Sequence, residues 1–291
     1  MRIGAFRCPQ WHELWRVDNV IEDGPEIVFA RNPVRIRHEG VGGSILADST
    51  VVMLYNQGQV YRRETVGDAG EKADWFSYAP ETIATALADV DPDAHERGQR
   101  VWNLTSGPLD ARVYAWQRAI FEAAHGDAPD PVWIEEQALA LLRRVALSAY
   151  RHTRAVRSSR ARDDTRRAHA DAVEAAKSFL AQRFRDRILL DEVAQAAHVS
   201  PYHLCRVFRA RTGLTVHGYV EQLRVRAALE DLASRRGDLS ALALELGFSS
   251  HAHFTGAFTK VFGVPPSAVG GRGEARRLAR EMSKRMEARG G

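Results

Sequence analysis

A helix-turn-helix pattern is written twice in the second half of this chain, and it constrains the fold more than any other feature. The first copy covers residues 194–208 and the second covers residues 243–258, and a glycine follows each copy five residues later. An alanine opens each copy, which allows two helices to cross closely, and a serine in each turn suits an N-cap. Apolar side chains four residues apart give each second helix a buried stripe. The repeat predicts two similar units, with one extra residue in the second turn.

Residues 216–232 lie between the two copies and have the apolar periodicity of a helix, through Val220, Leu223, Ala227 and Leu232. A rigid helix here would fix the distance between the second helices of the two copies, which we call the reading helices. Two reading helices held about 34 Å apart, roughly one turn of DNA, can enter successive major grooves on one face of a duplex. The pattern therefore predicts a protein that binds double-stranded DNA.

Several short motifs in and around this repeat carry a family resemblance. They are Ser200 to Phe208, Gly213-Leu214-Thr215, Tyr219, Leu223-Arg224, Gly247 to Phe258 and Gly263 to Ser267. In this order they resemble the AraC/XylS family of bacterial transcription regulators, over roughly residues 170–270. The resemblance implies an all-α DNA-binding domain with two helix-turn-helix motifs, preceded by a cupin-like domain that senses a small molecule. It also implies activation of transcription, with RNA polymerase as a further partner.

Side chains on the free face of each reading helix are the candidates for DNA contact. In the first motif they are Pro201, Tyr202, His203, Arg206 and Arg209, and in the second they are Ser250, His251, His253, Thr255 and Lys260. Arg206 is the strongest candidate, because a guanidinium can donate two hydrogen bonds to guanine or to phosphate. Gly256 and Gly270 stand where the family usually has arginine. We therefore expect the first reading helix to dominate specificity.

Charge is distributed unevenly along the chain. The net charge is −7 over residues 1–150, +5 over 151–169, +2 over 170–270 and +4 over 271–291. Phosphate attracts a basic surface and repels an acidic one. A nucleic-acid partner is therefore expected for the second half only.

Cysteine content and hydropathy indicate the compartment. Cys8 and Cys205 are too few and too distant in sequence for a disulfide framework, which fits a reducing environment. No apolar run has the length of a signal peptide or of a membrane span, so no membrane partner is expected. We expect a cytoplasmic protein located at the bacterial nucleoid.

Short β-type runs separated by turn residues fill residues 15–106. The runs are 26–30, 34–38, 44–47, 50–55, 59–63, 74–78 and 99–104, and helical patterns follow over 109–124 and 132–150. Regular short strands favour a small antiparallel barrel or sandwich, and the family resemblance implies that it is cupin-like. The predicted class is α+β multidomain, with a cupin-like β-barrel and two helices over 1–150, a basic linker over 151–169, the DNA-binding domain over 170–270 and a basic tail over 271–291.

Aromatic and arginine side chains of these strands are candidates for an effector pocket. They are Arg35, Arg37, Tyr55, Tyr61, Trp75 and Trp102, with Arg62 or Arg63 also available. Mostly apolar pockets with a few polar groups are typical of small-molecule sites. The alternative interpretation is that the aromatic rings fill the core and the arginines face water.

The histidines of this region do not suggest a metal site. His12, His38 and His95 include no His-x-His pair, whereas a metalloenzyme of the cupin type needs clustered ligands. We therefore expect no metal, no cofactor and no enzymatic activity. Two alternatives stay open, a regulator that responds to no small molecule and a cupin enzyme fused to a DNA-binding module.

The second predicted helix offers an apolar stripe for a homodimer. Ile134, Ala138, Leu141 and Val145 are spaced three or four residues apart, and they are the predicted dimer contacts. The alternative is that this helix only covers the strands of its own chain.

Overall fold

Alternating apolar residues in the first part of the chain form strands in a computed structural model, which describes residues 1–157, 163–234, 238–269 and 282. Nine strands lie within these residues. They are β1 (Arg2–Cys8), β2 (Asn19–Val20), β3 (Glu26–Ala30), β4 (Val34–His38), β5 (Ile45–Ala47), β6 (Val51–Tyr55), β7 (Val60–Thr65), β8 (Glu71–Ser77) and β9 (Ser106–Pro108). One sheet has the order β1-β8-β3-β6-β9 and the other the order β2-β7-β4-β5. The antiparallel pairs confirm the predicted β-rich N-terminal region.

The chain divides into two compact units. One comprises Met1–Leu109 with Ala124–Arg160, and the other comprises Asp110–Ala123 with the residues from Ala161 onward. The sequence prediction grouped residues 110–123 with the strands, because they follow the strands directly in the chain. The structure instead clusters them with the second unit.

Strand alternation decides which side chains of the first unit are inside. In β4, Val34, Ile36 and His38 are buried, while Arg37 is exposed. The inner faces of β3, β4 and β6 supply much of one apolar core. His38 therefore takes an inward position that an apolar residue would ordinarily occupy.

The predicted strand over residues 99–104 is wrong. A 3-10 segment over Pro92–Arg100 reaches into it, and the last strand, β9, begins only at Ser106. The Asn56 side-chain amide donates to the Trp102 carbonyl at 2.9 Å, and the Trp102 N–H donates to the Asn56 side-chain oxygen at 2.9 Å. The Asn56 side chain thus satisfies the backbone N–H and carbonyl of Trp102, which would otherwise need a neighbouring strand.

The first unit also holds α1 (Pro80–Leu87) and α3 (Pro131–Arg157). All four predicted dimer contacts, Ile134, Ala138, Leu141 and Val145, are buried by the chain itself. Tyr78 donates to the carbonyl of Ala138 at 2.9 Å on the same face. We therefore correct the predicted dimer contacts, because side chains that expose 7% of their surface or less contribute little to an interface. The alternative, a helix that covers its own strands, accounts for these four residues.

The second unit contains seven helices within the described residues. They are α2 (Ala111–Ala124), whose last residue passes into the first unit, and α4 (Asp163–Arg183), α5 (Leu190–Ala196), α6 (Pro201–Thr212), α7 (Val216–Ser234), α8 (Leu239–Glu245) and α9 (His251–Phe262). The predicted linker over 151–169 contains the end of α3, at Arg157, and the start of α4, at Asp163. These two helices belong to different units. Arginine and alanine are good helix formers, so a basic composition does not require an irregular chain. Apart from Met282, the predicted basic tail lies outside the described residues, and so does Gly270.

No helix among the described residues combines the length and the apolar content that a bilayer crossing would require.

Candidate nucleic-acid interface and interior polar cluster

The two helix-turn-helix motifs share one turn geometry. The Val199 N–H donates to the carbonyl of Ala194 at 3.1 Å, and the Phe248 N–H donates to the carbonyl of Ala243 at 2.9 Å. The residue before each of these positions has a left-handed backbone, with φ 54° at His198 and φ 80° at Gly247. At residue 247 a Cβ atom would lie 2.4 Å from the Arg185 carbonyl oxygen, so only glycine fits. The internal repeat of the sequence is therefore a structural repeat.

The reading helices α6 and α9 begin and end in the same way. Ser200 accepts a hydrogen bond from the His203 N–H at 3.3 Å, and Ser250 accepts one from the His253 N–H at 3.1 Å. Left-handed glycines end both helices, Gly213 at φ 75° and Gly263 at φ 76°. These contacts confirm the predicted caps and stops, and the turn before α9 is one residue longer, as predicted.

Each reading helix is anchored by large apolar side chains. Leu204 and Phe208 of α6 are fully buried, and so are Phe254 and Phe258 of α9. The ring of Phe258 lies 5.8 Å from that of Phe254 and 4.6 Å from that of Phe262, centroid to centroid. This packing fixes which face of each helix is left free.

The free face of α6 carries the predicted residues of the first motif. Tyr202 is 81% exposed, Arg206 and Arg209 are exposed, and Pro201 and His203 are half-buried. Nη2 of Arg206 lies 3.4 Å from Nδ1 of His203, and the ring of His203 lies 5.1 Å from that of His169 on α4. Burial, followed by the nearby His203, Arg206 and Arg211, lowers the pKa of His169. Arg206 and His203 thus lie side by side next to His169, and the contact of the five predicted residues with DNA remains a prediction.

The free face of α9 carries the predicted residues of the second motif. Ser250, His251, His253 and Lys260 are exposed, and Thr255 is half-buried. Nδ1 of His253 lies 3.1 Å from Oγ of Ser249, and its ring meets that of Phe248 edge-on at 5.4 Å. His253 is therefore held by the turn, whereas Lys260 extends from the other end of the helix.

Gly256 has room for a side chain on this face. It is exposed, and a Cβ atom built on it meets nothing within 4 Å. We predict that Gly256→Arg tightens binding to a specific DNA site about five- to ten-fold and steepens the salt dependence by about one phosphate contact. A salt series of binding isotherms measures both, with Gly256→Gln as the uncharged control. Equal affinity of the two variants would contradict a DNA contact at this position.

Helix α2 contacts two helices of the same unit: α7, the spacer helix between the two motifs, and α9, the second reading helix. The sequence did not indicate these contacts. Nε of Arg118 lies 2.9 Å from Oε1 of Glu230 on α7, and Tyr114 donates to the same carboxylate at 2.9 Å. Arg112 donates to the carbonyl of Val261, in the last turn of α9, at 2.8 Å. The sequence signals were Arg112 and Arg118, in a largely apolar helix that also holds Gln117 and Glu122.

Arg224 of α7 makes three contacts that connect different parts of the second unit. It donates to the carbonyls of Phe184 at 2.7 Å and Asp186 at 2.9 Å, and its guanidinium lies 5.7 Å from the centre of the Phe248 ring. It therefore joins the end of α4 to the turn of the second motif. In the sequence, Arg224 is part of the family motif, and the motif by itself indicates no role for this residue.

In the first unit, the predicted effector residues do not form one set. Arg35 donates to Ser44 at 3.2 Å, and Arg37 makes an exposed ion pair with Glu64 at 3.1 Å. Trp75 is half-buried and its ring covers the backbone of Gly4. Trp102 is buried beside the Asn56 bonds described above. Only Tyr55 and Tyr61 come together, with ring centroids 5.0 Å apart.

These two tyrosines belong to an interior polar cluster, formed by His38, Tyr55, Tyr61, Arg63 and Glu71. Arg63 is 3% exposed and donates to Glu71 at 2.8 Å and to the Tyr61 hydroxyl at 2.5 Å. The His38 ring lies 5.2 Å from that of Tyr55, and its Nδ1 lies 2.8 Å from Nε2 of Gln59. Nε2 of His38 and Nε of Arg63 have no hydrogen-bond partner among the described residues.

The electrostatics of the cluster follow from burial. Burial lowers the pKa of His38 to about 4, so the ring is neutral near pH 7. Burial also raises the pKa of Glu71, against the opposing effect of Arg63. Composition and motifs do not distinguish His38 from the other histidines of this region, and they do not distinguish Arg63 from Arg62. The alternation of β4 and β7, which turns His38 and Arg63 inward, could have identified both.

A carboxyl on the neighbouring strand β3 gives the first unit a pH dependence. Burial raises the pKa of Glu26 to about 7 from its usual 4.5. The folded protein holds the Glu26 proton more tightly than the unfolded chain does. The stability that this proton contributes is therefore fully present below pH 4.5 and is lost as the pH rises through 7. We predict that Glu26→Gln removes this loss and stabilises the protein by about 2–3 kcal/mol at about pH 8, with little change at about pH 4. Urea unfolding at a series of pH values measures the free energy of unfolding of the variant and of the original protein. The same pH dependence in the two proteins would contradict the prediction.

Within the described residues, no group of three His, Cys, Asp or Glu side chains is arranged to hold a metal ion.

Comparison with known proteins places the C-terminal region in a family. A family model described as a helix-turn-helix domain matches residues 193–272. The bifunctional transcriptional activator/DNA repair enzyme AdaA of Bacillus subtilis strain 168 is 28% identical over 95 residues, which cover 33% of this chain and 45% of AdaA. The transcriptional activator RhaR of Pectobacterium carotovorum is 28% identical over 176 residues, covering 60% of this chain and 58% of RhaR.

A solved structure of ToxT from Vibrio cholerae aligns with 91% of this chain and 96% of its own, at 12% identity and a TM-score of 0.35. The chain spans between about a third and a half of the length of the first curated relatives it matches. The sequence likeness is thus carried by the part that holds the two motifs. The C-terminal region of this chain is an AraC-type helix-turn-helix domain.

Proposed function

We propose that this protein is a sequence-specific DNA-binding transcription regulator that reads a duplex with α6 and α9. The observation that carries the proposal is the structural repeat, in which both reading helices have the same cap, the same stop and a free polar face. The spacer helix α7 is held by Arg224 and by Glu230, so the two reading helices have a defined separation. AdaA and RhaR are both named as transcriptional activators, which supports the same function here.

Footprinting of the full-length protein on DNA upstream of its own and neighbouring genes tests this proposal. We expect protection of roughly two helical turns per protomer, with a steep dependence on salt, because both motifs would neutralise phosphates. Protection of one groove only would mean that the second motif does not bind. Protection of no specific site would contradict the proposal.

Arg206 is expected to contribute most to specificity. We predict that Arg206→Ala weakens binding to the specific site by about 1–3 kcal/mol, since a guanidinium pair with guanine is lost. Arg187→Ala removes the same charge from an exposed position outside the reading helices and serves as the control. Binding isotherms on specific and random DNA measure the effect. Equal losses for the two variants would contradict direct reading by Arg206.

We propose further that the first unit senses a small molecule, with the interior polar cluster as its site. The buried, unpartnered nitrogens of His38 and Arg63 support this, because a ligand with hydroxyl or carboxyl oxygens would satisfy both. A thermal-shift screen against acidic and aromatic metabolites, followed by footprinting with each hit, tests the proposal. A ligand that changes the footprint would support it, and a protein without any ligand would fit the alternative of a regulator that has no effector.

Activation at the bacterial nucleoid, with RNA polymerase as a partner, completes the proposed function. Transcription in vitro from a footprinted promoter tests it, since an activator raises the yield of transcript and a repressor lowers it. Regulation by binding, without a catalytic step, is the function that the two motifs support.

A further inference from the structure

A histidine of α4 lies beside the first reading helix. The ring of His169 is 5.1 Å from that of His203, centroid to centroid, and Nδ1 of His203 is 3.4 Å from Nη2 of Arg206. His169 and His203 are half-buried, and Arg206 is exposed. We call these three residues the basic cluster. His169 lies outside both helix-turn-helix motifs, so the repeat in the sequence indicates no role for it.

The charged groups that act on His169 from the neighbouring reading helix are all basic. They are His203, Arg206 and Arg211 of α6. On α4 itself, Arg166 lies one turn before His169 on the same side of the helix, whereas Asp171, two residues after it, projects from the opposite side. His169 therefore faces positive charge.

Contacts from α5 and α7 reach the far end of α4. Glu192 of α5 lies 3.5 Å from Arg183, and Arg224 of α7 donates to the carbonyl of Phe184 at 2.7 Å. These contacts are about 21 Å along the helix from His169, at 1.5 Å per residue. The Glu192 carboxylate is therefore too distant to neutralise the basic cluster.

These surroundings make a proton on His169 unfavourable in the free protein. Burial is the first cause that lowers the pKa of His169, and repulsion by the basic neighbours is the second. A phosphate beside the cluster would reverse the second effect, because an opposite charge within about 4–6 Å favours the charged form of a histidine. The protonated ring then donates a charge-assisted hydrogen bond to a phosphate oxygen, as the guanidinium of Arg206 also can.

We propose that His169 binds a phosphate of the DNA backbone together with His203 and Arg206, and that it takes up a proton as the DNA binds. Phosphates are the DNA groups that side chains beside a reading helix meet. The proposal rests on the proposed function, since it needs a duplex on the free face of α6. Its consequence is a DNA affinity that rises as the pH falls. By linkage, the gain is present below the pKa of His169 in the complex and is lost as the pH rises through that pKa.

Binding isotherms of the full-length protein on the footprinted site, at about pH 6 and about pH 8 and at one salt concentration, test the proposal. We expect the original protein to bind about five-fold more tightly, or more, at the lower pH. His169→Gln is expected to reduce this ratio about three-fold, because glutamine does not titrate. His169→Arg carries its charge at both pH values. It is therefore expected to bind about five-fold more tightly than the original at pH 8, with the same reduced ratio.

Titration calorimetry in two buffers of different ionisation enthalpy counts the protons that are taken up on binding. Near pH 6.5, we expect His169→Gln to take up about half a proton fewer than the original, since an imidazole titrates in this range. The other histidines of the reading helices are the same in both proteins, so the difference reports on position 169. A loss of packing alone would not change the number of protons.

His95→Gln is the matched control, because His95 is an exposed histidine of the first unit, which is not expected to contact DNA. It is expected to keep the ratio of the original. An unchanged ratio in His169→Gln, or a His169→Arg variant that binds no more tightly at pH 8, would overturn the proposal. Specific binding without any pH dependence would overturn it and leave the proposed function intact. No specific binding at either pH would overturn both.

Discussion

Phe258→Ala is expected to lower the free energy of unfolding of the second unit by about 3–5 kcal/mol, because it removes a large side chain from a packed core. Phe258 is fully buried in α9 and lies between the rings of Phe254 and Phe262. The cavity would loosen the second reading helix against α8. We therefore also expect the footprint of the second motif to weaken before that of the first.

Urea unfolding followed by far-ultraviolet circular dichroism measures the loss, since helices dominate the second unit. Gly256→Ala on the exposed face of the same helix is the control. It is expected to stabilise the helix by up to about 1 kcal/mol, because alanine favours a helix more than glycine does. If Phe258→Ala changed stability no more than this control, the aromatic stack would not be the anchor of α9.

Glu71→Ala is expected to lower the free energy of unfolding of the first unit by about 3–5 kcal/mol, because it leaves a charged guanidinium buried without its partner. Arg63 and Glu71 are both at least nine-tenths buried and 2.8 Å apart. Tyr61 and the ring of Phe6 remain beside Arg63, but neither carries a compensating charge. Equilibrium unfolding followed by tryptophan fluorescence measures the loss.

The exposed pair between Arg37 and Glu64, on the same two strands, is the matched control. Glu64→Ala is expected to cost less than about 1 kcal/mol, because water replaces the lost partner. A second comparison replaces both buried charges, as Arg63→Met with Glu71→Leu, and is expected to recover most of the loss. Equal effects of Glu71→Ala and Glu64→Ala would mean that the buried pair carries no special energy.

Local signals located the reading helices and most strands. Ser200 and Ser250 are caps that bond within their own turn, and Gly213 and Gly263 stop their helices through their own backbone angles. Strands β3 and β4 lie within the predicted limits, because their residues alternate between two faces. The segment around Trp102 failed because its partner, Asn56, is distant in sequence.

The sequence by itself determined the double helix-turn-helix, because each motif closes with contacts among neighbouring residues whose types reveal their roles. Tertiary structure alone decided which face of α3 is buried, since two stripes of that helix carry apolar residues. It also decided that α2 packs with α7, and that Arg63 and not Arg62 is buried with Glu71. These choices depend on which distant surfaces meet, and the free energy of such contacts is set by burial that a local pattern does not contain.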